Sequence, residues 1–195
     1  MLSRDEILQE FRDAEALLEG HFVLSSGLHS PAYIQCARVL MDAARAARLC
    51  AVVKQKIDAA GYGDFDMVAS PAMGGVVVGY EMGRQFNRPS VFFERVDGTL
   101  ALRRGFEIPS GAKCLMMEDI VTTGLSSREC IEAIRNEGGE PVAASCLIDR
   151  SAGKAELGVP LIALVEMEVP AFAENEIPPE LAAIAAEKPG SRGLR

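Results

Sequence analysis

The sequence has only two histidines, His21 and His29, and both stand in one short stretch. No credible Ser-His-Asp or Cys-His set can be assembled from them, so a reaction through a protein nucleophile is not indicated. Positive charge is scarce as well: 20 Lys and Arg against 28 Asp and Glu leave a formal charge of −8. The densest basic spot is Arg103-Arg104. Such a chain repels nucleic acid and anionic membrane, and neither is expected as a partner. No apolar run approaches the ~18 residues that a membrane span needs, and the opening stretch lacks the apolar core of a signal peptide, so a cytoplasmic location is expected. Cys36, Cys50, Cys114, Cys130 and Cys146 fall singly inside apolar stretches, never in the close pairs of metal or redox motifs. They read as reduced core residues. A G-x-x-x-x-G-K-[ST] phosphate loop is missing, and Gly74, Gly75 and Gly79 do not fit the G-x-G-x-x-G spacing of a dinucleotide site.

What is present has the size and balance of one compact domain, or one with a small accessory piece: 195 residues, 49% hydrophobic and 25% charged. Ser3 and Glu6 form a capping box, and Ile7, Leu8, Phe11, Ala14, Leu17 and Leu18 recur at helical spacing, which predicts a first helix running until Gly20. Phe22-Val23-Leu24 and Ala32-Tyr33-Ile34 flank a turn-rich segment from Ser25 to Pro31 and predict a hairpin outside the main sheet. A regular alternation follows. It predicts helices over about 42–60, 75–86 and 126–137, and strands over 66–70, 90–94, 113–117, 142–148 and 161–167, with a polar loop after Glu94. Strands rich in Val, Leu, Ile and Met without alternation, separated by helices, indicate an open, mainly parallel α/β sheet with both faces covered. Ligands of such sheets bind at the strands' carboxyl ends. Residues 170–195 read as a covering segment.

Three segments leave those ends: Ser70–Gly75, Glu118–Gly124 and Asp149-Arg150. The strongest signal is the apolar strand Cys114–Met117 running into Glu118-Asp119, then Ile120-Val121-Thr122-Thr123-Gly124-Leu125-Ser126 at the start of a helix. A helix's first turn has unpaired N–H groups and positive dipole character, so the stretch from Thr122 to Ser126 can hold a phosphate without a lysine. Thr and Ser hydroxyls add donors, and Gly124 lets the backbone come close. Two carboxylates beside that cradle suit the hydroxyls of an attached ribose and favour positive charge developing on its ring. The bland alternative, that Glu118 and Asp119 end a strand and cap a helix, needs only one acid. Ser70-Pro71-Ala72-Met73-Gly74-Gly75 can also face an anion with backbone donors, although a plain strand-to-helix turn would look the same.

The segment from Glu118 to Ser126 resembles the motif that binds phosphoribosyl pyrophosphate (PRPP) in the type I phosphoribosyltransferases, and Ala72-Met73-Gly74 is similar to that family's pyrophosphate loop. Phe22 to Pro31 resembles the base-binding hood of the orotate phosphoribosyltransferases, and Leu147-Ile148-Asp149-Arg150 the strand whose arginine meets orotate's carboxylate. Phe93-Glu94-Arg95, Leu102 to Glu107 and Lys188-Pro189-Gly190-Ser191-Arg192 are similar to a bacterial branch of the family, so the resemblance covers nearly the whole chain.

The resemblance implies one phosphoribosyltransferase domain over residues 1–195, with a hood of about 1–40 plus part of 170–195 and a core of about 41–169. It implies transfer of the phosphoribosyl group of PRPP to orotate, with Mg2+ carried mainly by PRPP. PRPP would meet Ala72, Met73, Gly74, Arg95, Glu118, Asp119 and residues Ile120, Val121, Thr122, Thr123, Gly124, Leu125 and Ser126. Orotate would meet Thr122, Arg150, Ser25, Ser26, Gly27 and Tyr33. Glu118, Asp119 and the lid arginines Arg95, Arg103 and Arg104 would carry catalysis, the lid acting across the subunits of a homodimer. Arg150 suits a planar carboxylate because a guanidinium binds it in two-pronged fashion, although a surface ion pair would also account for it. His21 reads as structural, while His29 and Tyr33 either contact the base or pack.

Better-known relatives carry a lysine where Ser25 stands, a tyrosine-lysine pair where Met73-Gly74 stands, and lysines and a histidine in the lid. A phosphoribosyltransferase for another nucleobase would share the PRPP loop without needing Arg150. A PRPP-sensing regulator without turnover would dispense with the lid arginines.

Overall fold

The computed structural model describes residues 2–24 and 26–189; Ser25 and the stretch 190–192 lie outside them. Helix α1, Arg4–Asp13, starts on the expected capping box, with the Ser3 hydroxyl accepting from the Glu6 N–H and the Glu6 carboxylate accepting from the Ser3 N–H. It ends seven residues before Gly20. Glu15 takes a left-handed φ of 50°, Ala16 N–H donates to Phe11 O and Glu15 N–H to Arg12 O. That is a helix-ending turn made without glycine, and it releases Leu17 and Leu18 into a strand. β1, Leu17–Val23, pairs antiparallel with β2, His29–Ile34, as a separate two-stranded sheet. The expected hairpin is therefore present and begins earlier.

A short helix α2, Cys36–Leu40, leads to α3, Ala43–Ala59, whose N-cap Asp42 accepts from Ala44 N–H and Arg45 N–H. The main sheet contains β3 (Met67–Pro71), β4 (Ser90–Val96), β5 (Thr99–Leu102), β6 (Lys113–Val121), β7 (Glu140–Asp149) and β8 (Leu161–Glu166) in the order β5-β4-β3-β6-β7-β8. Only β5 runs antiparallel to its neighbour; the other pairings are parallel. Helices α4, Gly74–Phe86, and α5, Leu125–Asn136, follow β3 and β6.

Period-two geometry divides β6 between two cores: Leu115 and Met117 join one with Leu49, Val53, Val78 and Met82, while Cys114 and Met116 join another with Cys130, Ile131 and Ile134. Helices thus cover both faces, the condition that lets a strand be apolar throughout. All five cysteines are free and buried.

The loop expected after Glu94 is half strand. β4 and β5 form a hairpin over Asp97 and Gly98, both at positive φ (49° and 88°), a tight turn whose twist matches paired strands. The C-terminal segment packs on the β1–β2 sheet: Phe172 bonds His29, Glu187 bonds Val23 and His21 through the backbone, and Leu181 of α6 (Pro179–Ala182) is buried. Among the described residues no helix is long and apolar enough to cross a membrane.

Candidate active site

Chain order and sheet order disagree at one place. After β3 the chain moves outward to β4 and β5, then returns to the other side of β3 as β6. The connections leaving β3 and β6 diverge there, opening a crevice at the strands' carboxyl ends. The segments Ser70–Gly75 and Glu118–Ser126 both emerge into it. β6 continues to Val121, so the two acids lie in its last turns rather than beyond it. Val121 pairs with Asp149, and Arg150 N–H donates to Val121 O at 2.7 Å, which places Arg150 beside Thr122.

Glu118 is buried, and that burial, with the neighbouring Asp119 charge second, pushes its carboxyl up to about 8. The neighbouring Ser126 side chain opposes the shift. Asp119 is raised as well, chiefly by burial, although Ile120 N–H donates to its Oδ1 at 2.9 Å. Burial and their neighbouring charges thus disfavour ionising both acids together.

The cradle after them is shaped by Gly124, at φ 73°, where an added Cβ would stand 2.7 Å from Leu157 and 3.0 Å from the Arg128 guanidinium. Neither the backbone angle nor the space admits a side chain. Arg128 braces the loop by donating to Thr123 O at 3.0 Å and Glu156 O at 3.3 Å. Thr122, Thr123, Leu125 and Ser126 remain exposed at the tip of α5, with backbone donors available to an anion.

Arg150 is half-buried, and its Nε lies buried without a hydrogen-bond partner. Burial lowers its pKa from the ordinary arginine value. A guanidinium N–H left in this condition costs free energy that a bound carboxylate would recover. In the hairpin, Arg104 pairs with Glu94 at 2.8 Å and lies over the Phe92 ring, Arg95 pairs with Glu129, and Arg103 is exposed. Two of these three arginines are thus held against acids at the sheet's β5 edge.

Ser26 and Gly27 are exposed in the hood turn. Tyr33 packs with Phe22 and borders a cleft with Gln35, Arg38 and Pro189, so its neighbours there belong to the hood and tail. His21 joins the same structure, Nδ1 2.9 Å from Ile184 O and Nε2 2.6 Å from His29 Nδ1, which commits one ring nitrogen of His29 to packing. Cys36, the first residue of α2, places its Sγ 3.7 Å from the Asp119 carbonyl. Nothing in its sequence context marks it for that place.

Residues 40–160 match the family model described as a phosphoribosyl transferase domain. An orotate phosphoribosyltransferase of Erythrobacter litoralis is 58% identical over 191 residues, covering 98% of this chain and 99% of that protein. Another, from Caulobacter vibrioides, is 56% identical over 194 residues and covers both chains fully. The crystal structure of orotate phosphoribosyltransferase from Aeropyrum pernix superposes with a TM-score of 0.72 at 24% identity, covering 83% of this chain and 93% of that one. At that identity the likeness concerns the fold.

Proposed function

The chain belongs to the orotate phosphoribosyltransferases within the phosphoribosyl transferase family, and from that membership we propose how its residues perform the reaction. The enzyme transfers the phosphoribosyl group of PRPP to orotate, giving orotidine 5′-monophosphate and pyrophosphate in pyrimidine biosynthesis. The observation that carries the residue assignment is the buried Glu118 and half-buried Asp119 at the crevice between β3 and β6, next to the donor-rich tip of α5.

In this reading the amides and hydroxyls of Thr122–Ser126 hold the 5′-phosphate, and the two carboxylates accept the ribose hydroxyls. The Ala72-Met73-Gly74 loop faces the pyrophosphate. The proposed magnesium arrives on PRPP as part of the substrate, held mainly by phosphate and ribose oxygens rather than by a protein cage. Orotate sits under the hood near Ser25, Ser26 and Gly27, with its carboxylate on Arg150 and Thr122 beside it. Its ring nitrogen attacks the anomeric carbon, the bond to pyrophosphate breaks, and the carboxylates stabilise the positive charge that spreads over the ribose ring meanwhile. Arg95, Arg103 and Arg104 draw the leaving pyrophosphate; for Arg95 and Arg104 this requires leaving Glu129 and Glu94.

The reading takes residues 1–195 as one cytoplasmic domain, hood over core, acting as a homodimer. Exposed Met73, Val77 and Tyr80 recur along one face of α4 as an apolar strip suited to a second copy. One assay tests the activity: protein, magnesium and PRPP are mixed in turn with orotate, uracil and hypoxanthine, and orotate absorbance and pyrophosphate release are followed. Loss of orotate alone is expected. Turnover of another base would indicate a different phosphoribosyltransferase, and binding of PRPP without turnover would indicate a regulator.

A further inference from the structure

The first turn of α4 comes close to Asp119 at Gly74. A Cβ built on Gly74 would lie 2.5 Å from Asp119 Oδ1 and 2.8 Å from both Cγ and Oδ2, all inside ordinary van der Waals contact. These three nearest atoms all belong to the Asp119 carboxyl group. The backbone of Asp119 is fixed on its far side, because β7 pairs with Glu118 and Ile120 and the Cys36 Sγ sits on the Asp119 carbonyl. A carboxyl group, by contrast, turns about its side-chain bonds at small cost. The neighbouring Gly75 differs: a Cβ there meets Met117 O at 3.0 Å and the Pro71 ring at 3.1 Å, neither of which can swing aside.

We propose that Gly74 is a positioning residue for phosphoribosyl transfer: the space left by its missing side chain sets where the Asp119 carboxylate points. The inference rests on the assignment of Asp119 to the reacting ribose. It follows that Gly74→Ala leaves the fold nearly intact and misdirects one catalytic group, whereas Gly75→Ala damages packing.

The test is a double-mutant cycle of Gly74→Ala with Asp119→Ala, read by kcat, by KM for orotate and PRPP, and by thermal melting. Gly74→Ala is expected to lower kcat on the order of 10²-fold, the scale of a roughly 1 Å misplacement, with orotate KM little changed and Tm near wild type. In the Asp119→Ala background, where the clashing atoms are gone, the same substitution is expected to change kcat no further. A Gly74→Ala protein with wild-type kcat overturns the proposal, as does a loss that persists undiminished without the Asp119 side chain. A Gly74→Ala protein that fails to fold also overturns it, because the Asp119 side chain is then not what yields. Wild-type kcat in Asp119→Ala itself would remove the assignment on which the inference stands.

Discussion

At Glu118, ionisation and folding pull in opposite directions. Its carboxyl is raised to about 8 by burial and by Asp119, so the folded chain binds a proton there that an unfolded chain releases near the ordinary carboxylate range. Stability from this group is full below the unfolded value and declines as pH rises toward about 8. Glu118→Gln should remove that decline: its Tm advantage over wild type should be small at about pH 5 and reach several degrees at about pH 8.5, with activity depressed throughout. Equal melting of the two proteins at both pH values would contradict the burial. The same titration should appear in catalysis. The ribose hydroxyls need ionised acceptors, so kcat/KM for PRPP should rise with pH and level off near about 8, and a flat profile would show that the pair is already ionised. Arg150 gives a separate handle. Its unpartnered Nε predicts that Arg150→Ala raises orotate KM roughly 10–100-fold, from the 1.5–3 kcal/mol typical of hydrogen bonds to charged groups, and PRPP KM far less. Equal effects on both constants would contradict its assignment.

Among the elements, those with strong periodic patterns and caps are legible from sequence: α3 begins one residue after the expected Asp42, which caps it, and α4 and β3 fall within a residue of their expected bounds. The errors share a physical cause, namely turns whose chemistry was missed or unusual. α1 ends earlier than its sequence pattern predicts because its stop uses Glu15 in a left-handed conformation, where a glycine would be a visible signal. β5 was missed although Asp97-Gly98 between apolar runs is a hairpin signal that could have found it. The acid pair and the α5 tip were legible because a strand, two acids, hydroxyls and a glycine occur in one order. The closeness of Gly74 to Asp119 and of Cys36 to the Asp119 carbonyl depends on packing between segments distant in sequence, which no local pattern encodes. The tail's hold on the hood is of that kind too. Leu181→Ala should loosen it, measured as faster amide exchange in β1 and β2 with the main sheet unchanged and a higher orotate KM. Uniform destabilisation of the whole chain would instead show that hood and core unfold together.

For the whole molecule, one consequence of the topology is that each segment in the proposed site comes from a different part of the chain, joined where β3 and β6 diverge. Assembly into a homodimer would add the partner's hairpin arginines. Mixing equal amounts of Arg103→Ala and Asp119→Ala protomers should then restore roughly a quarter of wild-type activity, because a mixed dimer holds one complete site; no recovery after verified exchange would place the lid in its own subunit's site. The most direct test of the central claim is a crystal structure with magnesium and PRPP bound. The account predicts the ribose hydroxyls within hydrogen-bond distance of Glu118 and Asp119 and the 5′-phosphate on the amides of Thr122–Ser126. A sugar phosphate bound elsewhere, with both carboxyls free of it, would contradict it.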